Sequence, residues 1–224
     1  MKTRRIILSA ALALGFSASS MAGLVNSFDD IEFWVGSGAN QAVLIIDFND
    51  GQTSESFAWG YRWDGTACGA DMILAVAAAD ANLSIDSEGD GSESFLLNSV
   101  SLFSHTQTKA GDWSVFWNYY VAGGYAGDED NMDGIVGTPT AMSDGGTSLP
   151  SSWTSTPVGA SAISFGESGR ILSDGAWDAW SFGAWGTAPG ASVEAVPEPA
   201  SALLILLGAA TAAGYRRYKN HLGF

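Results

Sequence analysis

The sequence predicts a mainly β (α+β) domain, an antiparallel sheet with one short helix, between an N-terminal signal helix and a C-terminal transmembrane helix. Three observations support this class. Runs rich in β-branched and aromatic residues alternate with Gly, Asp, Asn and Ser turns. A single internal stretch, residues 71–79, combines four alanines with apolar residues at helical spacing. Each end of the chain carries a short, strongly apolar run.

The internal elements follow in order. Residues 42–48 form an apolar run that stops at Asn49-Asp50-Gly51, and 56–63 follow, which predicts a β-hairpin. Asp71 is the expected N-cap of the helix.

Further strands are predicted after the helix, at residues 96–103 and 113–120. In the second of these, the side chains of Trp113, Val115, Trp117 and Tyr119 share one face. Residues 123–157 are expected to form a long surface excursion, and strands are expected near 160–165 and 177–182.

The two ends set the domain boundaries. Lys2, Arg4 and Arg5 precede an apolar segment and the small residues Ser20-Met21-Ala22, so residues 1–22 are predicted to be a signal peptide cleaved between Ala22 and Gly23. The β-rich ectodomain then spans 23–182, a linker 183–195, and a sorting and membrane segment 196–224. This size suits a single domain.

The ectodomain is strongly acidic. Between residues 23 and 196 lie only three of the nine basic residues, Arg62, Lys109 and Arg170, but 23 of the 24 acidic ones, which gives a formal charge of −20. Nucleic-acid binding requires a basic surface, so that class is excluded. Solubility is the simpler explanation of the acidity. The alternative is that the acidic surface is suited to a cation-rich exterior or matrix.

The C-terminal segment has three parts in a fixed order. Val196-Pro197-Glu198-Pro199 is followed by an apolar run and then by the basic residues Arg216, Arg217 and Lys219. Prolines interrupt a helix, and the basic residues are expected to stay on the cytoplasmic side as a membrane stop. Residues 200–215 would span only about 24 Å as a helix, against roughly 30 Å of hydrocarbon. An ordinary membrane anchor is the alternative interpretation.

This tail, VPEPASALLILLGAATAAGYRR, resembles the PEP-CTERM sorting signal of Gram-negative bacteria that make extracellular polysaccharide. The resemblance implies an exosortase-type sorting protease as partner, transient anchoring in the inner membrane, and delivery to the cell surface or extracellular matrix. The sorting motif is then Val196 to Pro199. The resemblance covers about an eighth of the chain and implies nothing about the activity of the ectodomain.

A second resemblance concerns the ectodomain. The aromatic strand Phe116-Trp117-Asn118-Tyr119-Tyr120 and the turn Leu172-Ser173-Asp174-Gly175 resemble those of the β-grasp-like modules similar to the transcobalamin carboxy-terminal domain. The stretch concerned is 71–182. The resemblance implies a short helix packed with an aromatic strand, and some such modules bind small molecules or proteins. An antiparallel sandwich remains the competing hypothesis.

Catalytic and metal-binding patterns are weak. Cys68 is the only cysteine and His105 the only ectodomain histidine, so neither a disulfide nor a zinc site is predicted. Glu129, Asn131 and Asp133 have the spacing of a calcium loop, but position 12 is Thr140 instead of glutamate. Solvated acidic turns are the favoured interpretation, here and at 86–91, and weak calcium binding is the alternative. No other cofactor is expected.

The predicted function is therefore that of an exported, non-enzymatic surface or matrix protein. All nine tryptophans lie between residues 23 and 196, and most are expected in the core because each indole buries a large apolar area. Trp153 and Trp185, in Ser- and Gly-rich stretches, are the expected exposed pair. A polysaccharide-binding module that uses these two rings is the first alternative. A glycoside hydrolase that uses a carboxylate pair is the second.

Overall fold

The computed structural model describes residues 23–92, 94–122, 147–155, 163–164, 167–168 and 170–199. The described part is mainly β with one α-helix, as predicted. The helix α1 is Gly69–Ala79, and a 3-10 turn covers Phe28–Asp30. The strands are β1 Trp34–Gly36, β2 Asn40–Asp47, β3 Ser56–Trp63, β4 Leu83–Glu88, β5 Leu96–Leu102, β6 His105–Thr108, β7 Phe116–Ala122, β8 Trp153–Ser155, β9 Ile163–Ser164, β10 Glu167–Ser168, β11 Ala176–Gly183 and β12 Glu194–Ala195.

The central sheet has seven strands in the order β1-β3-β2-β11-β7-β8, with β12 also paired to β3. The predicted hairpin is confirmed, since β2 and β3 pair antiparallel from Asn40 opposite Trp63 to Asp47 opposite Ser56. The sheet is nevertheless mixed and not purely antiparallel, because β11 runs parallel to β2 and both β1 and β12 run parallel to β3. β2 and β11 are buried on both faces, the usual environment of parallel strands.

Each face of the central sheet is covered by a different layer. On one face lie α1 and the three-stranded antiparallel sheet β4-β5-β6. Trp59 of β3 donates its indole N–H to Asp80 at the end of α1 (3.0 Å). Phe95, just before β5, packs on Trp180 of β11, with ring centroids 6.0 Å apart. On the other face the N-terminal segment packs, with Phe28 against Trp177 at 5.0 Å. The sheet is therefore the middle layer of the domain.

Three boundaries differ from the sequence predictions. α1 begins at Gly69 after Cys68, and Asp71 lies inside its first turn, where its carboxylate accepts the Cys68 N–H (2.8 Å). Trp113 precedes β7 and lies in a turn, because Asp112 accepts the Ser114 N–H (3.0 Å) and bends the chain there. Residues 86–88, considered above as part of an acidic turn, belong to β4, which pairs with β5.

A buried ion pair connects β11 to the segment that precedes it. Asp178 is fully buried, and both its oxygens accept from Arg170, Nη2 to Oδ1 at 2.8 Å and Nε to Oδ2 at 3.1 Å. The Tyr119 hydroxyl of β7 donates to Asp178 Oδ2. Burial, with the adjacent Asp178 carboxylate, raises the pKa of Tyr119 well above its ordinary value, so this hydroxyl stays protonated as a donor.

The ion pair yields a stability prediction. Asp178→Asn removes the carboxylate charge that both Nε and Nη2 of the buried Arg170 contact, and we expect a loss of about 3–5 kcal/mol in the free energy of unfolding. Urea unfolding followed by tryptophan fluorescence measures this loss. Asp86→Asn, an exposed carboxylate on β4, is the matched control and should change stability little. Equal losses of stability in the two variants would show that the buried ion pair between Arg170 and Asp178 does not stabilise the fold more than an exposed carboxylate does.

Gly60 of β3 yields a second prediction. The Trp34 ring lies directly on this residue, and a Cβ built at Gly60 would come within 2.2 Å of it. Gly60→Ala should therefore displace the indole and lower the free energy of unfolding by roughly 1–3 kcal/mol, as overpacking usually does. The control is Gly111→Ala, where a Cβ meets no atom within 4 Å. A Gly60→Ala variant as stable as this control would show that Trp34 repacks freely.

Candidate functional site

The two ends of the described domain meet side by side. The Ala195 N–H donates to the Gly23 carbonyl (2.9 Å) and the Val25 N–H to the Val193 carbonyl (2.8 Å). Leu24 and Glu194 form an antiparallel bridge between these bonds. The predicted signal-cleavage position and the predicted sorting motif are thereby adjacent. We call this contact between residues 23–25 and 193–196 the terminal junction.

The junction is attached to the central sheet through β12. Glu194 and Ala195 pair parallel with Phe57 and Ala58 of β3, and the Val196 N–H continues the pairing by donating to the Ala58 carbonyl (3.2 Å). Val193, Ala195 and Val196 are each 1% exposed. Residues 183–195, predicted as a linker, thus end in a strand that belongs to the core. Their Gly- and Ala-rich composition suggested a linker, but small apolar side chains also suit a tightly packed edge strand.

Polar contacts hold the segment that leads into β12. The Gly190 N–H donates to Asp47 Oδ2 at the end of β2 (2.6 Å), and the Ser54 hydroxyl donates to Glu194 Oε1. Burial raises the pKa of Asp47, although hydrogen bonds from the Gly190 and Asn49 N–H groups to this carboxyl act in the opposite direction. Residues far apart in sequence therefore fix the segment that leads into β12 and the predicted sorting motif.

The predicted sorting motif, Val196 to Pro199, begins at the end of this packed strand. Val196 is buried, Pro197 and Pro199 are half-buried, and Glu198 is exposed. Between the last core residue and Ala200, where the apolar run of the sequence begins, there are only these three motif residues. The other predicted routing residues, Ala22, Arg216, Arg217 and Lys219, lie outside the described residues, as do Glu129, Asn131 and Asp133 of the candidate calcium loop.

The two tryptophans expected at the surface lie in different places. Trp185 is 74% exposed and its ring contacts that of Phe116 (centroids 6.1 Å apart). Trp153, in β8, is half-buried against the core and borders a groove of about 320 Å³ with Asn26, Ser151 and Pro189. A third indole, that of Trp113, is 51% exposed. The period-two pattern had placed it on a strand; the adjacent Gly111-Asp112 was the signal for a turn.

Cys68 and His105, the candidate nucleophile and the candidate metal ligand, are both buried and packed against neighbouring residues. Burial raises the pKa of the Cys68 thiol to about 11, which keeps it protonated, and its weak contact is to the Gly91 carbonyl (3.8 Å). His105 Nδ1 lies 2.9 Å from Asp50 Oδ2, and its ring packs against Phe48 and Phe57, with centroids 5.2 Å from each. Within the described ranges there is no group of three or more His, Cys, Asp or Glu residues suited to a metal ion.

Comparisons with known proteins do not assign this chain: no family model, no curated protein and no solved structure matches it. Among the residues described, no helix is long and apolar enough to cross a membrane. Any functional conclusion therefore depends on the geometry of the junction and of the exposed side chains.

The junction makes a testable prediction. Ala195→Pro removes the N–H that donates to the Gly23 carbonyl. The variant should loosen both β12 and residues 23–25, and should lower the free energy of unfolding by about 1–3 kcal/mol. Hydrogen exchange at the Val25 amide, which is bonded to Val193, should become faster in this variant. Ser192→Pro, at an exposed position just before the junction, is the control. Unchanged protection of Val25 in Ala195→Pro would show that the two ends are held independently.

Proposed function

We propose that this chain is an exported, non-enzymatic surface or matrix protein, delivered by a sorting protease that recognises Val196 to Pro199. The observation that carries the proposal is that the two ends of the described domain lie side by side. β12 runs parallel to β3, and residues 23–25 run antiparallel to β12, so Gly23 and Val196 lie at the same end of the terminal junction.

That arrangement suits a chain whose two ends are both directed to one membrane. A signal segment before Gly23 and an apolar segment after Pro199 can enter the same bilayer without unfolding the domain between them. Removal of both segments leaves the described fold complete, since the last core residue is Val196. The structure of the domain is thus compatible with release after sorting, which is the outcome that the PEP-CTERM resemblance implies.

The intact mass of the protein from its native host tests this proposal. We expect the extracellular fraction to contain a species that begins near Gly23 and ends near Pro197. Recovery only from the membrane, with Phe224 retained, would contradict sorting and would make the chain a plain anchored protein.

A charge-reversal variant provides the matched comparison. Arg216→Glu with Arg217→Glu removes the predicted membrane stop, so this variant should be mislocalised and should lose the processed extracellular species. Arg62→Glu changes an exposed cation within the domain and should be delivered as the unaltered chain is. Normal delivery of the double variant would show that these arginines do not act in sorting.

A further inference from the structure

Two of the most exposed aromatic rings of the described residues form one continuous surface through a third. Trp113 is 51% and Trp185 is 74% exposed. Each contacts Phe116, which is half-buried between them, with ring centroids 6.1 Å apart in both pairs. We call Trp113, Phe116 and Trp185 the aromatic cluster. It lies where β7 begins and β11 ends, since Phe116 is paired with Gly183.

The backbone that carries Trp113 is held in an uncommon conformation. Its φ is +61°, which non-glycine residues seldom adopt. Asp112 accepts from both the N–H and the hydroxyl of Ser114, and the Trp113 N–H donates to the Ala110 carbonyl. The Lys109 ammonium lies 4.1 Å from the Trp113 ring centroid and fixes the indole by a cation–π contact. Trp113 is therefore held in place although half of it faces water.

A buried amide holds the turn that carries Trp185. Asn118 is 4% exposed, and its Nδ2 donates to the Ala184 carbonyl (3.2 Å) while its Oδ1 accepts the Gly186 N–H (3.3 Å). These bonds bracket Trp185 on both sides in the chain. The buried amide thus holds the loop so that Trp185 faces solvent in a fixed position, as a binding residue on a loop requires.

The size of the cluster argues against a protein partner. The exposed fractions of the two indoles correspond to roughly 300 Å² of aromatic surface, taking about 250 Å² for a whole tryptophan side chain. Stable protein interfaces bury about 800 Å² on each partner. A ligand that covers only these rings is closer in size to two or three sugar units.

Charge restricts the ligand further. The formal charge of −20 between residues 23 and 196 repels polyanions, so nucleic acids, uronic acid polymers and anionic lipid surfaces are disfavoured. Beside the rings, Lys109, Asp112 and Ser114 supply one cation, one anion and one hydroxyl, a nearly neutral rim that can both donate and accept hydrogen bonds.

We propose that the aromatic cluster binds a neutral polysaccharide chain. A pyranose ring has an apolar face of C–H groups and a rim of hydroxyls, so the faces fit the indoles and the hydroxyls fit the polar rim. The ring planes are inclined by 63° between Trp113 and Phe116 and by 42° between Phe116 and Trp185. The three rings therefore do not form one flat surface. This site is independent of the sorting proposal.

Affinity electrophoresis of the full chain in detergent tests the site. The gels contain hydroxyethyl cellulose, laminarin or dextran as neutral polymers, or alginate as an anionic one. We expect at least one neutral polymer to retard the chain and alginate to leave its mobility unchanged. Trp185→Ala and Trp113→Ala should each weaken the retardation about tenfold in apparent affinity, the loss of one aromatic stacking contact.

The control is Phe103→Ala, which removes an aromatic ring that is 57% exposed but contacts Phe57 and lies outside the cluster. Its retardation should match that of the unaltered chain. Absence of retardation by all three neutral polymers would overturn the proposal, as would equal retardation of the tryptophan variants and the unaltered chain. Concentration-dependent self-association that disappears in Trp185→Ala would assign the cluster to a second copy of the chain and would also overturn it.

Discussion

The parallel pairing of β2 with β11 is the constraint on which the rest of the structure depends. It joins residues 42–47 to residues 176–181, segments at opposite ends of the domain, and buries both strands on both faces. Two fully buried strands require a covering layer on each side of the sheet. Helix α1 and the sheet β4-β5-β6 form one layer, and the N-terminal segment, with Phe28 on Trp177, contributes to the other.

The same burial explains the Arg170–Asp178–Tyr119 group. Asp178 has the parity of Trp180 and Phe182 on β11, so its carboxylate points into a layer that is otherwise aromatic and aliphatic. A carboxylate at that depth is stable only when it is paired and hydrogen-bonded. Arg170 satisfies both oxygens, and Tyr119 supplies a further donor from the neighbouring strand β7. The group therefore links the segment before β11 to the middle of the sheet, and its residues need no catalytic explanation.

The sequence predicted the elements formed by local pattern better than those formed by long-range contact. The predicted run of 56–63 has the same bounds as β3, since a run rich in aromatic residues that ends at the turn Asp64-Gly65 has a local cause. The parallel direction of β11 and the packing of β12 have no local signal: Ser192-Val193-Glu194-Ala195 resembles any small-residue spacer until Ala58 and Gly23 are brought beside it. Of the candidate site, the exposure of Trp185 was predictable from its Gly-rich surroundings, whereas its contact with Phe116 was not.

The direction of β12 also shows how the two proposed sites, the sorting motif and the aromatic cluster, lie relative to each other. β3 starts at the sheet end where β2 and β11 finish, so the aromatic cluster, at Phe116 opposite Gly183, lies at the end where β12 begins. Across the sheet, β12 and β7 are four strand spacings apart, or about 19 Å. At Val196 the chain is running away from that end, but it is still level with Ala58, near the start of β3. The aromatic cluster is therefore separated from Val196 mainly across the width of the sheet, so a ligand at the indoles and a partner at Val196 do not compete for the same surface.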